Sequence, residues 1–191
     1  LTGVPESSLA GMKQAAEAAD KQGYLLTLDF PCYLPIMTYC DNQDVREEMY
    51  TAFCTRASDK GPQAGQFDNS QNMDEILKLR HELANLLGFK TFAHYSLATK
   101  MADSPEQVIG FLEDLAQKSH AQAKQEFEEI KVFSKTSQGA NDLNAWDVTY
   151  YGEKLKQERY SVSQEEIRQY LPAPKVLAGL FEVANRLFSI D

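Results

Sequence analysis

A mostly α, multi-helix fold is what this sequence predicts, and three observations carry that expectation. Apolar residues recur at helical spacing through most of the 191 residues. Capping residues stand at the starts of several of those stretches. The only strand-like run is five residues long, Tyr24 to Leu28. Short connections between successive helices favour antiparallel helix pairs.

Taken in order, Leu9, Met12, Ala15, Ala16 and Ala19 share one face of a helix expected over Pro5 to Gln22, with Gly23 as its stop. Tyr24 to Leu28 is apolar and lies between Gly23 and Asp29, so it reads as one short strand or an extended connector, with strand preferred. Pro31 suits the first turn of a helix running to Tyr39, which Pro35 can bend because it has no amide donor. Asp41 or Asn42 can cap the next helix, where Val45, Met49, Ala52 and Phe53 form an apolar face up to Ser58. That face is expected to be core. Residues 59–69 combine two glycines and a proline without periodicity, which predicts an exposed, flexible loop.

Ser70 opens a strongly periodic helix with Met73, Ile76, Leu77, Leu83, Leu86 and Leu87, ended by Gly88, and a shorter helix follows through Phe92, Tyr95 and Met101. Ser104, Pro105 and Gln107 form a capping box that starts the longest helix, which carries Val108, Phe111, Leu112, Leu115, Phe127, Ile130 and Phe133 towards Gly139. A subdivision of the chain is expected near 139–146. Asp147 can cap a helix through Glu158, and Ser163 with Glu166 makes a second capping box. After Pro172 and Pro174, Val176, Leu177, Leu180, Phe181, Ala184, Leu187 and Phe188 recur helically. The sequence stops at Asp191 without a cap or polar tail, so this last helix is expected to have been cut and to self-associate through its apolar face.

Composition narrows the function. Hydrophobic residues make up 43% and charged residues 25%, which suits a globular segment with a sizeable core. The net charge of −9, with Lys and Arg scattered, disfavours a nucleic-acid partner, because neutralising phosphates needs clustered cations. No apolar run approaches the roughly 18 residues of a membrane span, and the first residues lack a signal-peptide pattern. Cys32, Cys40 and Cys54 are odd in number and lack C-x-x-C spacing, so they read as reduced thiols of a cytoplasmic protein.

Catalytic signatures are missing. His81-Glu82 begins like H-E-x-x-H, in which two histidines one turn apart hold zinc and the glutamate activates water, but the second ligand position is Asn85, a poor zinc donor. His94 and His120 have no His, Cys or Asp at a matching helical spacing. No G-x-S-x-G elbow surrounds a serine, and Gly61 and Gly65 do not continue into a phosphate-binding Gly-Lys-Ser or Gly-Lys-Thr. Glu47-Glu48, Glu113-Asp114 and Glu128-Glu129 read as solvated helix faces. Neither a catalytic nor a metal-ligating residue is assigned. Trp146, Asp147, Tyr150 and Tyr151, followed by Lys154 and Tyr160, gather polar aromatics and charge at one helix start, and can either line a peptide groove or serve as core with their polar atoms hydrogen-bonded.

The segments TLDFPCYLPIMTYCDNQDVREEMYTAFCTRAS, RHELANLLGF with SLATKMA, and WDVTYYGEKLKQERYS with YLP and GLFEV occur in an order that resembles the thimet-oligopeptidase-like family of zinc metallopeptidases. The resemblance runs along essentially the whole chain. It implies a longer, nearly all-helical, two-lobed parent enzyme whose narrow channel admits short peptides to a zinc ion, with the family's H-E-x-x-H lying beyond the stretch matched here. On that implication, residues 1–191 are a single helical, non-catalytic scaffold segment, inactive and zinc-free by itself. Trp146, Asp147, Tyr150 and Tyr151 then become candidates for channel wall, and the partners are short peptides and the remainder of the parent chain. The alternative is a self-contained helical interaction module without enzymatic activity.

Overall fold

In the computed structural model, which describes residues 1–139, 142–162 and 164–190, helices dominate and no strand forms among the described residues. The chain divides into two compact units, one made of Leu1–Asp41 with Asp147–Asp191 and the other of Asn42–Trp146.

In the first unit, α1 spans Glu6–Ala18 and buries Met12 and Ala16. It stops four residues before the expected Gln22. Asp20 takes the left-handed conformation at φ +52°, and the Lys21 amide returns to the Ala16 carbonyl at 2.9 Å, closing the helix end before Gly23 is reached. Tyr24 to Leu28 has no strand partner and is a connector: the Leu25 amide donates to the Met12 carbonyl at 3.0 Å and the Thr27 amide to Cys32 Sγ at 3.3 Å. A strand needs a ladder, and an extended run pinned back onto the preceding helix has none.

Helix α2, Phe30–Tyr39, has Pro31 in its first turn and continues through Pro35, burying Ile36 and Met37. Pro35 leaves the Pro31 carbonyl without its helical donor but does not end the helix. Packing of α1 and of α7, Val148–Tyr160, against α2 forms the core of this unit, with Cys40 and Tyr150 also buried. A single 3₁₀ turn, Ala145–Asp147, precedes α7. The short α8, Gln164–Arg168, is tied to α1 by Arg168 Nη1 donating to Ser7 Oγ at 2.8 Å. The capping box expected at Ser163 falls outside the described residues. Last comes α9, Ala173–Phe188, with Pro172 at its N-cap.

The second unit begins with α3, Gln43–Cys54, where Asn42 rather than Asp41 supplies the cap: its Oδ1 accepts from the Val45 amide at 3.2 Å. Met49 is buried, but the helix stops short of Ser58 and Cys54 is exposed. Residues 59–69 are a series of turns. The Gly65 amide donates to the Ser58 carbonyl at 3.2 Å and the Asn69 amide to the Ala57 carbonyl at 3.1 Å, closing the loop on itself. Gly61 has φ +79°, and a Cβ there would collide with the Thr55 hydroxyl.

Helix α4, Ser70–Leu86, begins where Asp68 Oδ1 accepts from both the amide and the hydroxyl of Ser70, at 2.9 and 2.7 Å. It ends where Gly88 adopts φ +82° and the Phe89 amide reaches the Ala84 carbonyl at 2.8 Å. Helix α5 covers only Phe92–Leu97, so Met101 lies beyond it. An aromatic group fastens α4 to α5: the Tyr95 ring lies 5.4 Å from Phe89 and 5.8 Å from Phe92, and the Arg80 guanidinium sits 5.0 Å from the Phe92 ring centre.

Helix α6, Pro105–Gln138, is 34 residues long, about 51 Å at the usual rise. Ser104 Oγ accepts from the Gln107 amide at 3.2 Å, while Gln107 Oε1 reaches back to the amide of Asp103 rather than of Ser104, at 2.7 Å. The expected capping box is therefore present with its return bond shifted by one residue. Gly139 ends the helix at φ +66°.

Much of the predicted apolar patterning does not meet a partner within this chain. On α4 only Ala84 is buried, while Leu77 is 64% and Leu86 84% exposed. Phe111, Leu112 and Leu115 of α6 are exposed, and only Phe133 of the predicted stripe is buried. No residue of α9 is buried; Phe181 is 70% and Phe188 71% exposed.

Candidate functional site

The residues singled out by sequence do not all enter one unit, because the boundary between the two units falls between Trp146 and Asp147. In the second unit, the half-buried Trp146 ring lies 6.0 Å from Tyr50, and its buried indole N–H has no hydrogen-bond partner among the described residues. Tyr50 stands one helical turn before Cys54, and the hydrogen bond to that thiol, followed by its charge, raises the Tyr50 phenol above its ordinary value.

In the first unit, Asp147 is fully buried and stands at the N-cap of α7, although its side chain does not make the capping bond expected of it. Tyr150, one turn into α7, is 6% exposed and donates its hydroxyl proton to Asp41 Oδ1 at 2.8 Å. Lys154, the next turn along the same face, approaches that oxygen at 3.5 Å and lies 5.2 Å from the Tyr150 ring centre. Tyr151 packs edge-on against Tyr150, centroids 5.1 Å apart, and is half-buried.

Asp41 therefore joins both ends of this unit. Its amide donates to the Thr2 carbonyl at 2.9 Å while its carboxylate receives Tyr150 and Lys154. Gly3 lets the first residues approach closely: it has φ +89°, and a Cβ there would collide with the Tyr39 carbonyl oxygen. The chain separation of 109 residues between Asp41 and Tyr150 hides this group from any reading of local pattern.

The same unit contains a cavity of about 750 Å³ bordered by α1, the 24–28 connector, the start of α2 and α8. Met12 and Leu25 supply apolar lining, and Asp29 and Arg168 are its charged members, with Ser7, Ser8, Thr27 and Cys32 also lining it. Sequence reasoning did not find it, since its walls come from four separate segments.

Histidine chemistry does not assemble. His81, Glu82 and Asn85 lie exposed on α4, and Glu82 is 4.0 Å from Lys78. His94 Nδ1 is 2.8 Å from Thr91 Oγ1 at the start of α5, and His120 is exposed on α6. Asp114 pairs with Lys118 at 2.7 Å, and Glu128 with Lys131 at 3.3 Å. Among the described residues no three His, Cys, Asp or Glu side chains come together as a metal-holding group. The donors present here do not fit a zinc ion, which needs three or four converging ligands. Two carboxyls are held below their ordinary values. Asp68 is lowered by the Ser70 hydroxyl and amide, and Glu106 by its own amide and the Ser104 hydroxyl.

Together these features define a helical scaffold whose described residues bring together no metal-binding donor set. The family model of peptidase family M3 matches residues 36–191, and the chain belongs to that family. Oligopeptidase A of Salmonella typhimurium is 56% identical over 190 residues, covering 100% of this chain and 28% of that protein. A probable cytosolic oligopeptidase A of Arabidopsis thaliana is 41% identical over 201 residues, with the same two shares covered. Saccharolysin of Saccharomyces cerevisiae is 30% identical over 198 residues, covering 100% of this chain and 26% of its own length. The chain thus spans little more than a quarter of the length of these relatives. Among the described residues no helix is long and apolar enough to cross a membrane.

Proposed function

We propose that this chain is a non-catalytic scaffold segment of a zinc-dependent oligopeptidase that hydrolyses short peptides. The observation that supports it most is full-length similarity to oligopeptidase A at 56% identity, confined to 28% of that protein. The exposed apolar faces of α4, α6 and α9 agree with it, because side chains such as Leu86 and Phe181 are suited to burial against further helices of the parent chain. On this reading zinc would be held by residues of the parent enzyme outside this chain, where it would supply Lewis-acid chemistry.

Trp146, Asp147, Tyr150 and Tyr151 are proposed to back part of the peptide channel, with Tyr151 rather than the buried Tyr150 closer to substrate. A cytoplasmic setting is proposed from the cysteine pattern, three in number and without C-x-x-C spacing. The apolar α9 face also supports self-association of the isolated chain, which sedimentation over a range of concentrations measures.

Hydrolysis of a quenched fluorescent short peptide, measured alongside bound zinc, tests the reading. The isolated chain is expected to neither cleave nor hold stoichiometric zinc, while the full-length parent does both and loses activity to a chelator. Zinc-dependent cleavage by the isolated chain, or a chelator-insensitive parent, would overturn it. In the parent, Tyr151→Phe is expected to change peptide preference at unchanged zinc content; unchanged kinetics would assign Tyr151 to structure alone.

A further inference from the structure

The first unit is discontinuous: its chain leaves after Asp41 and returns at Asp147, with all of the second unit inserted between. The two chain crossings therefore lie in the same unit although residues 42–146 separate them. The residue at the outward exit is Asp41, and the buried Tyr150 stands three residues inside the return. Their 2.8 Å hydrogen bond, with Lys154 at 3.5 Å from the same oxygen, bridges the two exits directly.

We propose that Asp41, Tyr150 and Lys154 form a clamp that fastens the two chain crossings of this unit at one place and holds the α2 and α7 core closed there. Three observations converge on it. The bond is charge-assisted, with a buried phenol as donor, which is the stronger class of hydrogen bond. The Asp41 amide is itself anchored to the Thr2 carbonyl at 2.9 Å, in the close approach that Gly3 permits, so residue 41 is held through its backbone as well as its side chain. The helix carrying Tyr150 and Lys154 packs directly on the helix that ends beside Asp41. The clamp operates whatever chemistry the parent enzyme performs.

Amide hydrogen exchange of the full chain, followed residue by residue, tests it with Tyr150→Phe, which keeps the ring and removes only the donor, and with Asp41→Asn. The expected result is exchange roughly tenfold or more faster in Tyr150→Phe, confined to residues 39–41 and the first turn of α7. Exchange in α4 and α6 should be unchanged. Asp41→Asn keeps an oxygen that can still accept from the Tyr150 hydroxyl and removes the charge facing Lys154, so it should accelerate exchange at the same crossings less than Tyr150→Phe does. If Asp41→Asn fails to fold, Tyr150→Phe decides alone. Unchanged exchange at both crossings in Tyr150→Phe, or acceleration limited to α7 with residues 39–41 unaffected, would overturn the clamp.

Discussion

Phe181 on α9 offers a direct way to ask whether the uncovered apolar faces are meant for burial. Its side chain is 70% exposed in this chain. Full burial of a phenylalanine contributes about 1.5 to 3 kcal/mol, so roughly 1 to 2 kcal/mol of that remains to be gained by covering it. Phe181→Ala in the isolated chain, at concentrations where it is monomeric, removes little buried surface and substitutes a better helix former, so its stability should change by no more than about 0.5 kcal/mol. In the full-length enzyme, if further helices cover the face, the same change should cost about 1 to 2 kcal/mol for lost burial, rising towards 3 to 5 where a cavity persists. Phe133, 6% exposed on α6, is the control, because it is already packed within this chain. Phe133→Ala should cost about 3 to 5 kcal/mol in both proteins. Urea unfolding followed by far-ultraviolet circular dichroism gives the midpoints. Equal, small effects of Phe181→Ala in both contexts would refute the idea that α9 is covered in the parent.

Two further outcomes follow from local geometry. Gly61→Ala places a Cβ against Thr55 at φ +79° and should destabilise the chain by about 1 to 3 kcal/mol, whereas Gly65→Ala, at φ +72° with open space around it, should cost only about 1 kcal/mol in the same urea titration. For pH, Asp68 and Glu106 both have lowered values when folded, so each contributes stability that is complete above its ordinary value and lost as pH falls through the folded value. Both folded values lie below the ordinary carboxylate range, which places the loss of this contribution in acid. Carboxyl carbon titration by nuclear magnetic resonance should show Ser70→Ala moving Asp68 back up, and an unmoved titration would sink that assignment.

The helices were legible because their causes are local. Ser104 and Gln107 begin α6, Gly88 and Gly139 end α4 and α6, and Asn42 caps α3, each through contacts within a few residues. Misjudged ends share that logic: Asp20 took the left-handed position expected of Gly23, because lost helical carbonyl partners can be recovered by any residue able to adopt it. The connector at Tyr24 to Leu28 was the harder case, since a five-residue, mostly apolar run shows its preference for an extended backbone but not whether a second strand exists.

The candidate site divides in the same way. Absence of a complete H-E-x-x-H was readable at Asn85, because ligand spacing on a helix is a local matter. The bond from Tyr150 to Asp41 was not, since 109 residues separate the partners and no periodicity links them. Helical period, capping and metal-motif spacing were thus determined by the sequence alone, since each depends on neighbours within a turn or two. Tertiary structure alone decided which of the internal apolar faces are buried: the stripe of α4 looks like core in sequence, yet Leu77 and Leu86 stay exposed, whereas the sequence already leaves the α9 face without a partner in this chain. A hydrophobic stripe records that a helix has a face to bury, while the partner that buries it is a property of the packed chain.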